Sequence, residues 1–260
     1  MIKTFQAGVA KAAFEVDHGG RLSSLCVDEL ELLVTRGADS IAYGCYPMAP
    51  WAGRIRDGRF WWAGREHQLS VNLPPHAIHG TVFERAWRSE GVQLDVDLGA
   101  SWPWLGHVRS VLQLLPQELS WSLEVHTARD PMPVVVGWHP WFRRQLSRGD
   151  PLEVTFSADG MLRRDASGIA TADVIPPSDG PWDDCFVGVN QPVTLRWPGA
   201  LTLTVESDCS HWVVYDEPDH AVCVEPQSGP PDAVNLGLAV EVTPERPLKR
   251  TMTLRWTLED

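Results

Sequence analysis

The chain has 260 residues, 43% of them hydrophobic and 22% charged, with a net charge of −12. This is an ordinary globular composition, long enough to bury a core without covalent or metal staples, and its acidity argues against nucleic acid or an anionic membrane as partner, since both require clustered cations. Cys26, Cys45, Cys185, Cys209 and Cys223 form no CxxC pair, which signals neither a zinc ribbon nor a redox dithiol and fits reduced thiols in a cytoplasmic protein.

No stretch approaches the ~18 apolar residues of a membrane span, and Met1–Ala7 lacks the apolar run of a signal peptide. In chain order, the first distinctive segment is Ala49–Phe60. Extended backbone there puts Arg54 and Arg56 on one face, and Asp57-Gly58 predicts a hairpin turn. Asn72–Gly80 follows, with His76 and His79 three residues apart behind a Pro-Pro pair. Strict alternation over Leu94–Leu98 and Leu119–His126 predicts strands with one buried and one wet face.

The next segment is Pro133-Val134-Val135-Val136-Gly137-Trp138-His139-Pro140-Trp141-Phe142. Its valines predict a buried strand, with His139 at the mouth among aromatic rings. A second hairpin turn is predicted at Asp159-Gly160, and a surface loop over Thr171–Pro181. Alternation returns over Leu201–Glu206 and Met252–Leu258. Between them, Ala221–Glu225 predicts an apolar strand ending in a carboxylate, followed by a Pro/Gly loop to Asn235.

Glycine and proline, 21 of each, leave few windows for a helix. The expectation is an all-β, large antiparallel sandwich forming a single domain over residues 1–260. Partial desolvation at a strand end raises a carboxyl pKa and makes Glu225 a candidate base. A Glu/His pair with no adjacent nucleophile suits proton transfer. No GxSxG elbow and no phosphate loop are present. His76 and His79 lack a third ligand at fixed spacing, so neither a metal nor another cofactor is expected.

Taken together, these segments resemble the aldose 1-epimerase (galactose mutarotase) family. Gly53-Arg54-Ile55 with Gly58-Arg59-Phe60, His79-Gly80, Trp138-His139-Pro140-Trp141-Phe142, Asp183-Asp184-Cys185-Phe186 and Glu225-Pro226-Gln227 occur in family order. The resemblance implies a galactose mutarotase-like supersandwich that interconverts the anomers of a monosaccharide. It implies Glu225 as general base, His139 as general acid, and His79 as a hydrogen-bonding partner near the reacting end. Arg54 and Asp183 would hold sugar hydroxyls, with His76 as a neighbour and Trp138 and Trp141 as pocket walls. Gly53 stands where the family has Asn, Trp141 where it has Tyr, and Asp184 competes with Asp183 for one role. Two alternatives remain at this stage. One is a mutarotase for a phosphorylated or sulfonated sugar, suggested by Arg54, Arg56 and Arg59; the other is a non-catalytic sugar binder. A monomer and a homodimer are both compatible with the sequence.

Overall fold

The alternating segments pair where their apolar sides can be buried together. In the computed structural model, which describes residues 1–259, they form two large antiparallel sheets. The larger sheet runs in the order Ile2–Ala7, Ala10–Glu15, Arg21–Val27, Cys45–Met48, Gly137–Arg143, Ala221–Gln227, His211–Tyr215, Asp183–Val187, Gly160–Arg164 and Ala170–Ile175, with Leu30–Glu31 paired onto Arg21–Val27. The smaller runs Arg88–Glu90, Gln93–Asp97, Gly106–Leu115, Glu118–Thr127, Leu248–Leu258, Leu201–Ser207, Asn190–Trp197 and Glu153–Ser157. Among the described residues the one α-helix is the single turn Ala233–Leu236, and no helix is long and apolar enough to cross a membrane.

The main core contains Trp121, Trp138, Trp197, Trp212 and Trp256 with Leu, Val and Phe from both sheets. Much of the unusual tryptophan content is therefore core volume. Because side chains alternate across a strand, Trp138, Phe142, Val222 and Val224 join this core. Their neighbours Trp141 and Cys223 pack on the opposite face of the larger sheet with Tyr46, Met48 and Phe83.

Four local expectations are corrected. Asp57 and Gly58 do have positive φ, 53° and 62°, but no hairpin closes there. Arg54–Ile55 pairs with Ala77–Ile78, whereas Arg59–Trp62 pairs with Arg65–Gln68. Asp159-Gly160 instead links Glu153–Ser157 of one sheet to Gly160–Arg164 of the other. Thr171–Ile175 is part of the strand Ala170–Ile175 rather than loop, because it pairs with Gly160–Arg164 at the sheet edge. The valine strand is also divided: Met132–Val134 pairs with Val240–Val242, and a new strand runs from Gly137 through Pro140 to Arg143. His139 thus lies in mid-strand. Pro140, which cannot donate to a ladder, is accommodated where the pairing with Ala221–Gln227 is interrupted between Gly137 and Trp141.

Candidate active site

The register of the larger sheet assembles the site. Gly137 faces Gln227 and Trp141 faces Cys223, which sets His139 opposite Glu225. On its other side His139 pairs with Tyr46, while Glu225 pairs with Val213 and Val213 with Cys185. One row across five strands therefore reads Tyr46, His139, Glu225, Val213, Cys185. The next row reads Trp141, Cys223, Tyr215, Asp183. Both rows face a cavity of about 360 Å³, lined in part by Arg54, His79, His139, Trp141, Asp183 and Glu225.

His139 Nε2 lies 3.2 Å from Glu225 Oε1. Both residues are buried, with 6% and 3% of their surface exposed. The Gln227 side-chain amide donates to Glu225 Oε2 at 3.1 Å. Tyr46 and Trp141 stack on the imidazole, with ring centroids 4.9 and 5.4 Å away. Desolvation, reinforced by the Asp183 charge, pushes the Glu225 carboxyl well above its usual range. Desolvation pulls the His139 imidazole down to about 3, with Arg21 and Arg54 acting in the same direction. Burial penalises charge on either partner, so both shifts favour a neutral carboxyl beside a neutral imidazole.

His79 reaches this pair through a tight crossing of backbones. His79 and Gly80 both have positive φ, 62° and 84°. His79 N–H donates to the Gly53 carbonyl and Thr81 N–H to that of Ala49. A Cβ on Gly80 would fall 2.0 Å from the Ala49 carbonyl oxygen, so only glycine permits the approach. The His79 ring stands edge-on to His139 with centroids 5.0 Å apart, and its buried Nδ1 has no protein partner. Desolvation, then His139 and Arg54, lowers its pKa well below the usual value, leaving a neutral ring able to hydrogen-bond a ligand.

Arg54 donates to Asp183 at 3.3 Å. Arg164 approaches the same Asp183 oxygen at 3.6 Å and Asp184 at 2.9 Å. Asp183 lines the cavity, whereas the more deeply buried Asp184 anchors Arg164. The loop after Glu225 returns to this region: Asp232 N–H donates to the Arg54 carbonyl, and its carboxylate accepts from Arg56 N–H and the Asn235 amide. Removing a buried acceptor strands its donors at a cost of about 1–3 kcal/mol. Asp232→Ala is expected to lower the unfolding free energy by that amount, measured by urea denaturation.

Two expected site residues fall elsewhere. Trp138 is fully buried in the main core against Trp121, because even-numbered positions of its strand face away from the cavity. Trp141 is the tryptophan on the cavity wall. His76 is not part of the cavity lining, and its Nδ1 accepts the Asp57 N–H at 3.1 Å, a structural bond behind the wall. Gln227 and Arg164 were not identified from sequence. Gln227 was accessible, being two residues from Glu225 on one strand and hence on the same face. Arg164 carries no local signal, since only the antiparallel pairing of Gly160–Arg164 with Asp183–Val187 brings it beside Asp183.

Gly53 has a φ of 63°, and a Cβ there would meet Pro231 at 2.9 Å, which accounts for glycine at this position. All five cysteines are free. Among the described residues, one group combines three metal-ligand types: His139, Cys223 and Glu225, with ligand atoms all within 4.8 Å of one another. Burial pushes the Cys223 thiol well above its usual pKa.

The larger sheet thus sets a buried imidazole–carboxyl pair at a cavity walled in part by Trp141. The aldose 1-epimerase family profile matches residues 4–255, and the chain belongs to that family. A curated Escherichia coli K12 relative, the uncharacterized protein YphB, is 29% identical over 135 residues. That match covers 48% of this chain and 47% of the relative, so the chain spans about half the length of the curated relative it matches. A galactose mutarotase-like protein from Clostridium acetobutylicum superposes with a TM-score of 0.88 at 17% identity, covering 99% of this chain and 95% of that one. A galactose 1-epimerase from Lactobacillus acidophilus NCFM gives 0.80 at 16% identity, covering 99% and 94%. At these identities the likeness concerns the fold.

Proposed function

We propose that this chain is a mutarotase for an uncharged monosaccharide, with Glu225 as base and His139 as acid. The observation that carries this reading is the 3.2 Å contact between Nε2 and the carboxyl. Ring opening takes a proton from O1 and delivers one to O5. Both oxygens are bonded to C1, so acid and base must stand side by side at the cavity floor. In the reactive tautomer Glu225 is ionised and His139 protonated. Opening leaves a neutral carboxyl and a neutral imidazole. The C1–C2 bond rotates, and closure on the other face reverses both transfers. The pair keeps the same number of protons in the resting and reactive tautomers, so no proton need come from solvent.

His79 would hydrogen-bond the reacting end, with Arg54 and Asp183 holding the hydroxyls further along. Preference for an uncharged sugar follows from the pairing of the arginines. Arg54 is matched by Asp183, Arg164 by Asp183 and Asp184, and Arg56 by Asp165 and Asp232. Asp39 and Glu217 add negative charge to the lining. A phosphate or sulfonate would therefore meet no uncommitted cation here. Anomer exchange followed by NMR over a panel of neutral, phosphorylated and sulfonated aldoses tests this. Acceleration is expected for at least one neutral sugar, and acceleration confined to anionic sugars would overturn the assignment.

A further inference from the structure

Arg21 is a buried cation without an ion-pair partner among the described residues. None of its surface is exposed. Its guanidinium donates to the carbonyls of Tyr43, Ser40 and Phe83 and lies 4.0 Å from the Tyr43 ring centroid and 4.9 Å from that of Tyr46. Burying a charge without a direct ion pair is costly, and carbonyl dipoles, ring faces and the Glu15 carboxylate that Tyr43 hydrogen-bonds offset this only in part. Such an arrangement calls for a reason, and its connections lead to the acid–base pair.

Tyr46, one face of which takes the guanidinium, stacks on His139. Tyr46 Oη and Trp141 Nε1, from the two rings that flank the imidazole, both donate to one carbonyl, that of Ile41, at 3.2 and 2.8 Å. Ile41 lies between Ser40 and Tyr43, whose carbonyls Arg21 holds. A single side chain thus fixes both the segment carrying that acceptor and the ring beneath it.

We infer that Arg21 is a positioning residue for the His139–Glu225 pair: it locks the Tyr46–Ile41–Trp141 clamp around the imidazole and, by its charge, opposes double protonation of the pair. This rests on the mutarotase reading for its kinetic part, while its electrostatic part concerns His139 alone. The groups facing that imidazole are Glu225 and Cys223 on one neighbouring strand, Tyr46 on the other, and His79 above. Arg54, Arg164, Asp183, Asp39 and Glu217 are the further charges of the cavity wall. Arg21 reaches the same imidazole from behind Tyr46 and disfavours its protonation.

The test uses Arg21→Met, Arg21→Lys and Tyr46→Phe in the full chain. Misplacing a catalytic group by about 1 Å can cost about 10²-fold in rate, so a shift of about half that should cost about tenfold. All three variants should lose at least that in kcat, with a smaller change in KM. Removing the positive charge raises the imidazole pKa, so in Arg21→Met the acid limb of kcat/KM should move up by about one pH unit. His139 titrated directly by NMR should move with it. Arg21→Lys and Tyr46→Phe keep the charge and should leave the limb in place. An unmoved His139 titration in folded Arg21→Met overturns the electrostatic role whether or not the chain turns over sugars. If Arg21→Met does not fold, wild-type kcat in folded Arg21→Lys and Tyr46→Phe overturns the positioning role.

Discussion

Glu225→Gln and His139→Asn are each expected to lower the rate of anomer exchange by at least two orders of magnitude, as followed by polarimetry. General acid or base assistance is worth about 10²–10⁴-fold, roughly 3–5 kcal/mol of barrier. Each substitution removes one partner while keeping the shape of the site. In the proposed mechanism the two groups exchange one proton across their 3.2 Å contact, so the effects should be far from additive. The double variant should be little worse than either single one, as for residues that act as a unit. Near-wild-type exchange in either single variant would exclude the assigned roles, and full multiplication of the two losses would exclude a shared proton.

The same substitution at Glu225 is expected to make the protein more stable, increasingly so as pH rises. The folded carboxyl has its pKa raised well above the ordinary 4.5. Its contribution to stability is present below the unfolded value and is lost as pH climbs toward the folded one. Over that window the folded state holds a proton that the unfolded state has released, at up to about 1.4 kcal/mol per pH unit. Glutamine mimics the protonated acid and escapes the penalty. The variant should unfold with the wild type near pH 4 and at progressively higher temperature above pH 4.5. His139 works in the other direction: its depressed pKa means that stability is lost as pH falls below 6.5 toward about 3. The two together place the pair's best contribution between roughly pH 4.5 and 6.5. A pH-independent difference between wild type and Glu225→Gln in calorimetry would show that the carboxyl is not held protonated. A buried acid retained at such a cost is the stability–activity conflict expected where charge must be poised for chemistry.

The sequence was most legible where periodicity and residue type agree. Alternation located Leu94–Leu98, Leu119–His126, Leu201–Glu206 and Met252–Leu258, all of which lie in strands or extend one residue beyond them. It was least legible where pairing partners decide. Asp57-Gly58 has the backbone of a hairpin turn, but its flanks pair with other segments. Arg164 beside Asp183 arises from a strand pairing that skips the strand between them, and Tyr46 on His139 from strands far apart in sequence. Trp138 and Trp141 could have been separated by parity alone, since His139 fixes the face of the odd-numbered positions; the aromatic richness of the segment obscured this.

That parity has a practical bearing on preparations of the protein. A strand displaced by one residue exchanges its two faces. In a mispaired Gly137–Arg143 strand Trp138 would point into the cavity and the imidazole into hydrocarbon. Such a molecule would have native-like strand content and would differ little by far-ultraviolet dichroism, but it would carry no imidazole opposite Glu225. Turnover per mole after refolding should therefore count correctly zipped molecules, a fraction that bulk spectroscopy would overestimate.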